Sequence, residues 1–156
     1  MMTEWRVTRF GGTLTGWYKG CQFFVLAPTT YYKGYDGPKF TLYVLLPGFK
    51  KEFRLNTVKR GKLKAERVVT KFREKFKMAW VEWEYDGSYG VNARGKVRGV
   101  QIFTIIFNSS RCYELRCNLP GIKNCFGGDN EKIETKYLEK KAEEIWIFFR
   151  NKMFKL

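Results

Sequence analysis

The sequence has no histidine, no apolar run long enough to cross a membrane, and only 15 acidic residues against 30 Lys and Arg. Without histidine, the commonest general base and the Ser-His and Cys-His nucleophile pairs are absent, which argues against most hydrolytic enzymes. A membrane helix needs about 20 apolar residues, whereas the apolar segments 22–27 and 102–107 have the length of a strand. The 4 cysteines indicate no disulfide framework, and the first residues lack the apolar run of a signal peptide. We therefore expect a cytoplasmic protein.

Positive charge is the clearest indication of function. The net charge is +15, with 17 Lys/Arg and 5 Asp/Glu (+12) in residues 1–77 and 13 and 10 (+3) in residues 78–156. Such a field attracts polyanions, nucleic acid first and an anionic membrane second. We expect nucleic acid as the partner and no membrane. The alternative is a highly soluble protein whose charge serves no partner.

Three blocks of sequence occur twice, in the same order. Within the blocks the matching residues are 79, 73 and 77 positions apart, so the offset changes only between blocks, where loops accommodate insertions. We infer a duplicated unit, with repeats at 1–78 and 79–156. The matched pairs include Gly11/Gly90, Gly16/Gly95, Gly20/Gly99, Phe24/Phe103, Leu46/Leu119, Pro47/Pro120, Lys50/Lys123, Phe53/Phe126, Lys64/Lys141, Ala65/Ala142 and Phe72/Phe149.

Apolar periodicity predicts the same elements in each repeat, four strands followed by a helix. The prediction is an α+β fold of two tandem ββββα repeats, packed as a pseudo-twofold single domain with antiparallel sheets and one helix each. The predicted strands cover residues 4–10, 17–27, 40–46, 49–55, 80–85, 98–107, 111–119 and 122–126, and the helices cover about 63–78 and the segment after 130.

The second helix has more apolar residues than one face needs. Trp146, Ile147 and Phe148 lie outside the stripe that begins at Leu138, so this helix is expected to bury two faces. The second face is expected to pack against the other repeat. The alternative is a homo-oligomer contact through this C-terminal helix.

This order of strands and helices resembles the tandem architecture of the PUR and Whirly single-stranded nucleic-acid-binding families. Residues 18–20, Tyr-Lys-Gly, are similar to the Lys-Gly signature on the second strand of Whirly proteins, although residues 21–24 are Cys-Gln-Phe-Phe where that family has Lys-Ala-Ala-Leu. The resemblance implies that each sheet presents aromatic and basic side chains to unpaired bases, Lys19 among them.

A basic run in the first repeat is the main candidate site. Lys59, Arg60, Lys62 and Lys64 lie at the start of the predicted helix, where cations oppose the helix dipole. Because unpaired amides at a helix start also attract phosphate, we predict a phosphate-binding site there; the alternative is a solvated charged face. The candidate cations are Lys50, Lys51, Arg54, Lys59, Arg60, Lys62, Lys64 and Arg67.

Aromatic residues lie between these charges along the chain, and a flat ring beside a cationic track is what single-strand binding uses. The second repeat has Lys96, Val97 and Arg116 at the positions of Trp17, Tyr18 and Tyr43, so Arg116 is a candidate as well. A core role is the alternative for each ring. The candidate stacking residues are Trp17, Tyr18, Tyr31, Tyr32 and Tyr43.

Two weaker patterns concern metals. Glu82, Glu84 and Asp86 alternate along one strand, and three carboxylates on one face are suited to hold Mg²⁺ in a nuclease. The thiols at 112, 117 and 125 have no histidine partner, which makes a poor zinc pattern. We predict no metal and no cofactor.

The sequence therefore predicts a non-enzymatic protein that binds nucleic acid, single-stranded DNA or RNA in preference to duplex, because no groove-reading helix motif is recognisable. The alternative from a different class is a phage-type inhibitor, similar to anti-CRISPR proteins, that docks on a protein complex which handles nucleic acid. A metal-dependent nuclease is the second alternative.

Overall fold

Segments with alternating apolar residues form two antiparallel five-stranded sheets, and the two segments with helical apolar spacing form helices, so the fold is α+β. The computed structural model describes residues 2–9, 11–29, 34, 36–86, 91–107, 113–127 and 135–154, with the backbone alone at 91 and 92. The chain divides into two compact units, Met1–Glu74 and Lys75–Leu156. Neither described helix is long and apolar enough to cross a membrane.

In the first sheet every strand pairs with its neighbour along the chain, so β1 and β5 are the edges. Antiparallel neighbours need only short connections, and the strands follow one another as a meander. The elements are β1 (Glu4–Val7), β2 (Leu14–Tyr18), β3 (Cys21–Pro28), β4 (Phe40–Val44), β5 (Glu52–Leu55) and the helix α1 (Val58–Phe76).

The second sheet has the same order, with β6 and β10 as its edges. Its elements are β6 (Val81–Tyr85), β7 (Val91–Val97), β8 (Val100–Phe107), β9 (Tyr113–Cys117), β10 (Cys125–Gly127) and the helix α2 (Thr135–Phe154).

The predicted number of four strands in each half was wrong. A hairpin turn divides the predicted strand 17–27, because Lys19 and Gly20 have φ values of 51° and 76°. Arg98 and Gly99, with φ values of 50° and 76°, make the same turn between β7 and β8. Positive φ at both central residues is the type I′ geometry that matches the twist of a hairpin. The Lys-Gly segment that resembles a Whirly strand signature therefore lies in a turn.

A glycine in the middle of β2 and of β7 lies under a tryptophan. Trp5 pairs with Gly16, and a Cβ on Gly16 would stand 3.0 Å from the Trp5 ring and 3.0 Å from Cβ of Phe24. Trp83 pairs with Gly95 in the same way, and a Cβ there would be 3.1 Å from the Trp83 ring. These glycines make room for a ring on a strand, and both lie outside the predicted strands, which began at residues 17 and 98.

Helix α1 packs on the face of the first sheet that carries Phe24, Leu26 and Leu42, all fully buried. Burying each large apolar side chain contributes about 1.5–3 kcal/mol. Gly61 allows the helix a close approach, since a Cβ there would stand 2.8 Å from Cδ1 of Leu26. The buried helix residues that meet this face are Gly61, Ala65, Val68, Val69 and Phe72.

The expectation that α2 buries a second face was wrong, because Trp146 follows Ala142 by four residues and lies on the same buried stripe. Trp146 is 1% exposed, and its Nε1 donates a hydrogen bond of 2.8 Å to the backbone carbonyl of Ala79. Ile147 and Phe148 are 39% and 61% exposed, so they do not belong to that buried face. The first stripe, which begins at Leu138, lies in the core as expected.

Candidate nucleic-acid interface

One flank of α1 is lined by cations. Arg60, Lys64, Arg67 and Lys71 follow one another at intervals of four, three and four residues, so they lie on the same side of the helix. At about 1.5 Å of rise per residue, they form a row about 16 Å long with one cation per turn. Lys64 is half-buried and the other three are exposed.

This row lies beside β5, the edge strand. Phe53 of β5 faces α1, because it pairs with the buried Leu42. Nζ of Lys64 is 4.3 Å from the centre of the Phe53 ring, and Nζ of Lys50 is 5.2 Å from it. Such cation–π contacts contribute about 0.5–1 kcal/mol at exposed sites and fix where the ammonium groups stand. Lys50 therefore extends the row, and the basic stripe consists of Lys50, Arg60, Lys64, Arg67 and Lys71.

The cations of the basic stripe differ from those of the second sheet in their partners. Within the residues that the structure describes, none of them forms an ion pair. In the second sheet the strand cations are paired, and the hydrogen bond from Arg116 holds the pKa of Glu114 below its ordinary value. Positive charge in the stripe is therefore uncompensated, whereas much of that in the second sheet is neutralised locally. The pairs in the second sheet are Arg94–Asp86, Lys96–Glu84 and Arg116–Glu114.

The start of α1 is basic, as predicted, but its cations lie on different sides of the helix. The first turn contains no acidic residue. Thr57 caps the helix, since its Oγ1 accepts a hydrogen bond of 3.2 Å from the amide of Arg60, and one amide of the predicted phosphate site is thereby used. Lys62 extends to the other flank, with Nζ 5.8 Å from the ring of Trp5, and Lys59 is exposed. The residues predicted at the helix start therefore do not form one cluster.

Two predicted stacking residues lie on the sheet face opposite to α1. Tyr43 is 42% exposed there. Thr15 of β2 lies on the same face, because it pairs with Val25, which pairs with Tyr43. Trp17 shares this face, since its Nε1 donates a hydrogen bond of 2.9 Å to Oγ1 of Thr15. The guanidinium of Arg6 lies 4.4 Å from the centre of the Trp17 ring and covers one side of it. The sheet thus separates these rings from the basic stripe.

Tyr18 lies in the core, which corrects its assignment as a stacking residue. It is 3% exposed, and its ring centre is 5.4 Å from that of Phe23. Burial raises the pKa of its phenol. The turn at Lys19 and Gly20 pairs Tyr18 with the buried Cys21, so the tyrosine faces the helix side of the sheet.

The other predicted residues occupy separate places. Lys19 is exposed in its turn. Lys51 donates a hydrogen bond of 3.3 Å from Nζ to a backbone carbonyl. Arg54 is exposed on β5, pairs with Thr41 and faces away from α1, on the same side as Tyr43, whose own partner on β5 is Glu52. Tyr31 and Tyr32 are outside the described residues.

The carboxylates and thiols of the two metal patterns have other contacts in the structure or lie on different faces of the sheet. Glu84 and Asp86 are held in ion pairs with cations of β7, which a metal ion would have to break. Cys117 is buried, whereas Cys125 pairs with Arg116 and therefore points to the other face of the sheet; Cys112 is outside the described residues. Among the described residues, no group of three or more Cys, Asp or Glu is arranged to hold a metal ion.

Phe53 is the residue of the candidate site that the sequence prediction missed. Its signal was present, because Lys50, Phe53 and Lys64 all belong to the repeated blocks, with Lys123 and Phe126 among their counterparts. A ring that is repeated together with its flanking lysines indicates a contact among the three.

Comparison of the chain with protein-family models, with curated proteins and with solved structures found no match.

Proposed function

We propose that this protein binds single-stranded DNA or RNA without catalysing a reaction on it, and that the basic stripe holds the phosphates. The observation that carries the proposal is the uncompensated row of cations along α1, one per helical turn, on a chain of net charge +15. Phosphate contacts supply most of the affinity in such complexes and position the strand without reading its sequence.

The location of Tyr43 favours a single strand over a duplex. The basic stripe lies on the α1 side of the sheet and Tyr43 on the other side, with β5 as the edge between them. Arg54 is on β5 and faces the Tyr43 side, so one cation is present on this edge, on the same strand as Glu52, which pairs with Tyr43. A flexible strand is able to turn around a single β-strand, whereas duplex DNA, with a persistence length of about 150 base pairs, is too stiff.

A mobility-shift titration of the purified protein against a 20-nucleotide single strand and a hairpin duplex tests the proposal. If about five to seven phosphates are contacted, log K against log salt should fall with a slope near −4 to −5, at about 0.7 per contact on a single strand. A slope near zero, or no binding at low salt, contradicts the proposal. That result would favour the inhibitor that docks on a protein complex.

The origin and assembly of the chain are part of the proposal. The contact of Trp5 with Gly16 and that of Trp83 with Gly95 support duplication of a strand-and-helix unit with one helix in each repeat. The arrangement proposed for the two repeats is a pseudo-twofold domain, as in the PUR and Whirly families. The exposed Ile147 supports a homo-oligomer contact through α2. Light scattering tests the second point by measuring the molar mass of the wild-type chain and of an Ile147→Glu variant. If α2 forms the contact, the wild type should be an oligomer and the variant a monomer.

A further inference from the structure

A groove in the second unit lies where the basic stripe lies in the first. It runs between α2 and the segment that leads into β10, and its volume is about 360 Å³. Its walls are mainly apolar, with a few charged groups, which is the composition of small-ligand sites. The residues that matter here are Ile122, Lys123, Phe126, Lys141, Ile145 and Phe148.

Two ammonium groups meet on one ring in this groove. Nζ of Lys123 is 5.7 Å from the centre of the Phe126 ring, and Nζ of Lys141 is 5.9 Å from it. This is the arrangement of Lys50 and Lys64 on Phe53 at the corresponding positions. Neither Lys123 nor Lys141 forms an ion pair within the described part of the chain, so the charge of each is available to an anionic ligand.

Substitutions between the two units convert a cationic row into an aromatic groove. The positions of Arg60, Arg67 and Lys71 are occupied 77 residues later by Tyr137, Glu144 and Phe148. Tyr137 and Phe148 are 60% and 61% exposed, so their rings are available to a ligand.

A second substitution opens the groove. In the first unit Phe49 packs on Phe72, with ring centres 6.4 Å apart. The corresponding residue in the second unit is Ile122, which is smaller and lines the groove. Ile122→Phe is therefore expected to fill the groove with a ring, at the position that Phe49 occupies in the first unit.

We infer that this groove binds one unpaired nucleotide, its phosphate between Lys123 and Lys141 and its base against Phe148 and Ile122. The inference rests on the proposed function, because the ligand is of the same class, unpaired nucleic acid. The volume is at the lower end of the range of about 300–1,000 Å³ for small-ligand sites, which suits one nucleotide. Glu144 also lines the groove, and its carboxylate is able to accept a hydrogen bond from a base amino group.

Methyl NMR of the full chain tests the inference. Adenosine 5′-monophosphate and uridine 5′-monophosphate are titrated while the methyl signals of Ile122 and Ile145 are followed, with adenosine and inorganic phosphate as separate probes. Both monophosphates should shift these signals to saturation, and each half-probe should bind more weakly. In Ile122→Phe the affinity, followed at Ile145, should fall roughly five- to 150-fold, the loss expected when base stacking is removed. Val7→Phe, at a residue of β1 that is 81% exposed and far in sequence from the groove, should bind as the wild type does.

The outcomes separate this inference from the proposed function. If the monophosphates cause no shift, or if Ile122→Phe binds them as well as the wild type, the groove is not a nucleotide site. The proposed function still stands in that case if oligonucleotides bind with the expected salt slope. If monophosphates bind in the groove but oligonucleotides do not bind at low salt, the strand-binding function is overturned and with it the assignment of the groove to a bound strand.

Discussion

The ring of Trp5 lies across the backbone of Gly16, so that a Cβ on this glycine would be 3.0 Å from Cη2 of the indole. Trp5 is on β1, the edge strand, and Lys62 of α1 stands 5.8 Å from the same ring. The glycine therefore allows one tryptophan to join an edge strand, a central part of the sheet and the helix that carries the basic stripe.

Gly16→Ala is predicted to destabilise the protein by about 1–3 kcal/mol, the usual cost of adding a methyl group to a filled site. Gly95→Ala should cost a similar amount, since Trp83 is 3.1 Å from its Cβ position. Gly11→Ala is the matched control, because nothing lies within 4 Å of a Cβ there. Urea denaturation of the three variants measures the difference, and equal midpoints for Gly11→Ala and Gly16→Ala would contradict the packing argument.

The double variant Arg60→Glu, Arg67→Glu is predicted to weaken single-strand binding at least 25-fold at 0.1 M salt. Each lost phosphate contact removes about 0.7 from the salt slope, so two contacts remove about 1.4. The fold should remain, or become slightly more stable, because an acidic residue in the first turn of α1 suits the helix dipole. Shift assays across a salt series, with circular dichroism of the same samples, measure both effects.

Lys136→Glu, Lys140→Glu is the control for that variant. Both residues are exposed on α2, and Lys136 is in the first turn as Arg60 is in α1, so the change in net charge and the effect on the dipole are matched. Only a small loss of affinity is expected. An equal loss in the two double variants would mean that net charge, and not the basic stripe, determines binding.

The sequence predicted much of the fold because apolar periodicity is a local property. The α1 core residues and the strands around Phe24 and Leu42 were found in this way. Strands β2 and β7 were not found, since a glycine under a tryptophan is explained only by a partner on another strand. Tyr18 was misassigned for a related reason: whether it faces the core depends on a turn one residue later.

The candidate site was predicted in part. Arg60, Lys64 and Arg67 were among the predicted phosphate-binding residues, but their position on one flank was not predicted, because the predicted helix began near residue 63 and α1 begins at Val58. That Tyr43 and Trp17 lie on the other side of the sheet depends on strand register, which the sequence alone did not supply. Phe53 was overlooked because one ring in a strand has no periodic signature.

Acid is predicted to weaken the second sheet through its ion pairs. Hydrogen bonds from Lys96 and Arg116 lower the pKa values of Glu84 and Glu114 from their ordinary value of 4.5. A carboxyl group whose pKa is lowered on folding stabilises the protein above its ordinary pKa, and this contribution is lost as the pH falls through the lower folded value. Between pH 5 and pH 3 the urea midpoint should therefore decrease, and Glu114→Gln should decrease less steeply. A wild-type midpoint that does not change over this range would contradict the pairing.

Replacing the exposed Tyr43 is predicted to weaken binding, whereas replacing the buried Tyr18 is predicted to lower stability. Tyr43→Ala removes a 42% exposed ring on the sheet face that carries Arg54, so it should weaken single-strand binding by about 1–3 kcal/mol and leave the salt slope unchanged. Tyr18→Ala removes a ring that is 3% exposed, so it should lower the free energy of unfolding by about 3–5 kcal/mol, the cost of a large cavity in a core. Its folded fraction should bind normally. Both variants are measured by shift assay and by urea denaturation. If Tyr43→Ala binds the single strand as the wild type does, the strand does not pass around β5, and the geometric reason for preferring unpaired nucleic acid is lost.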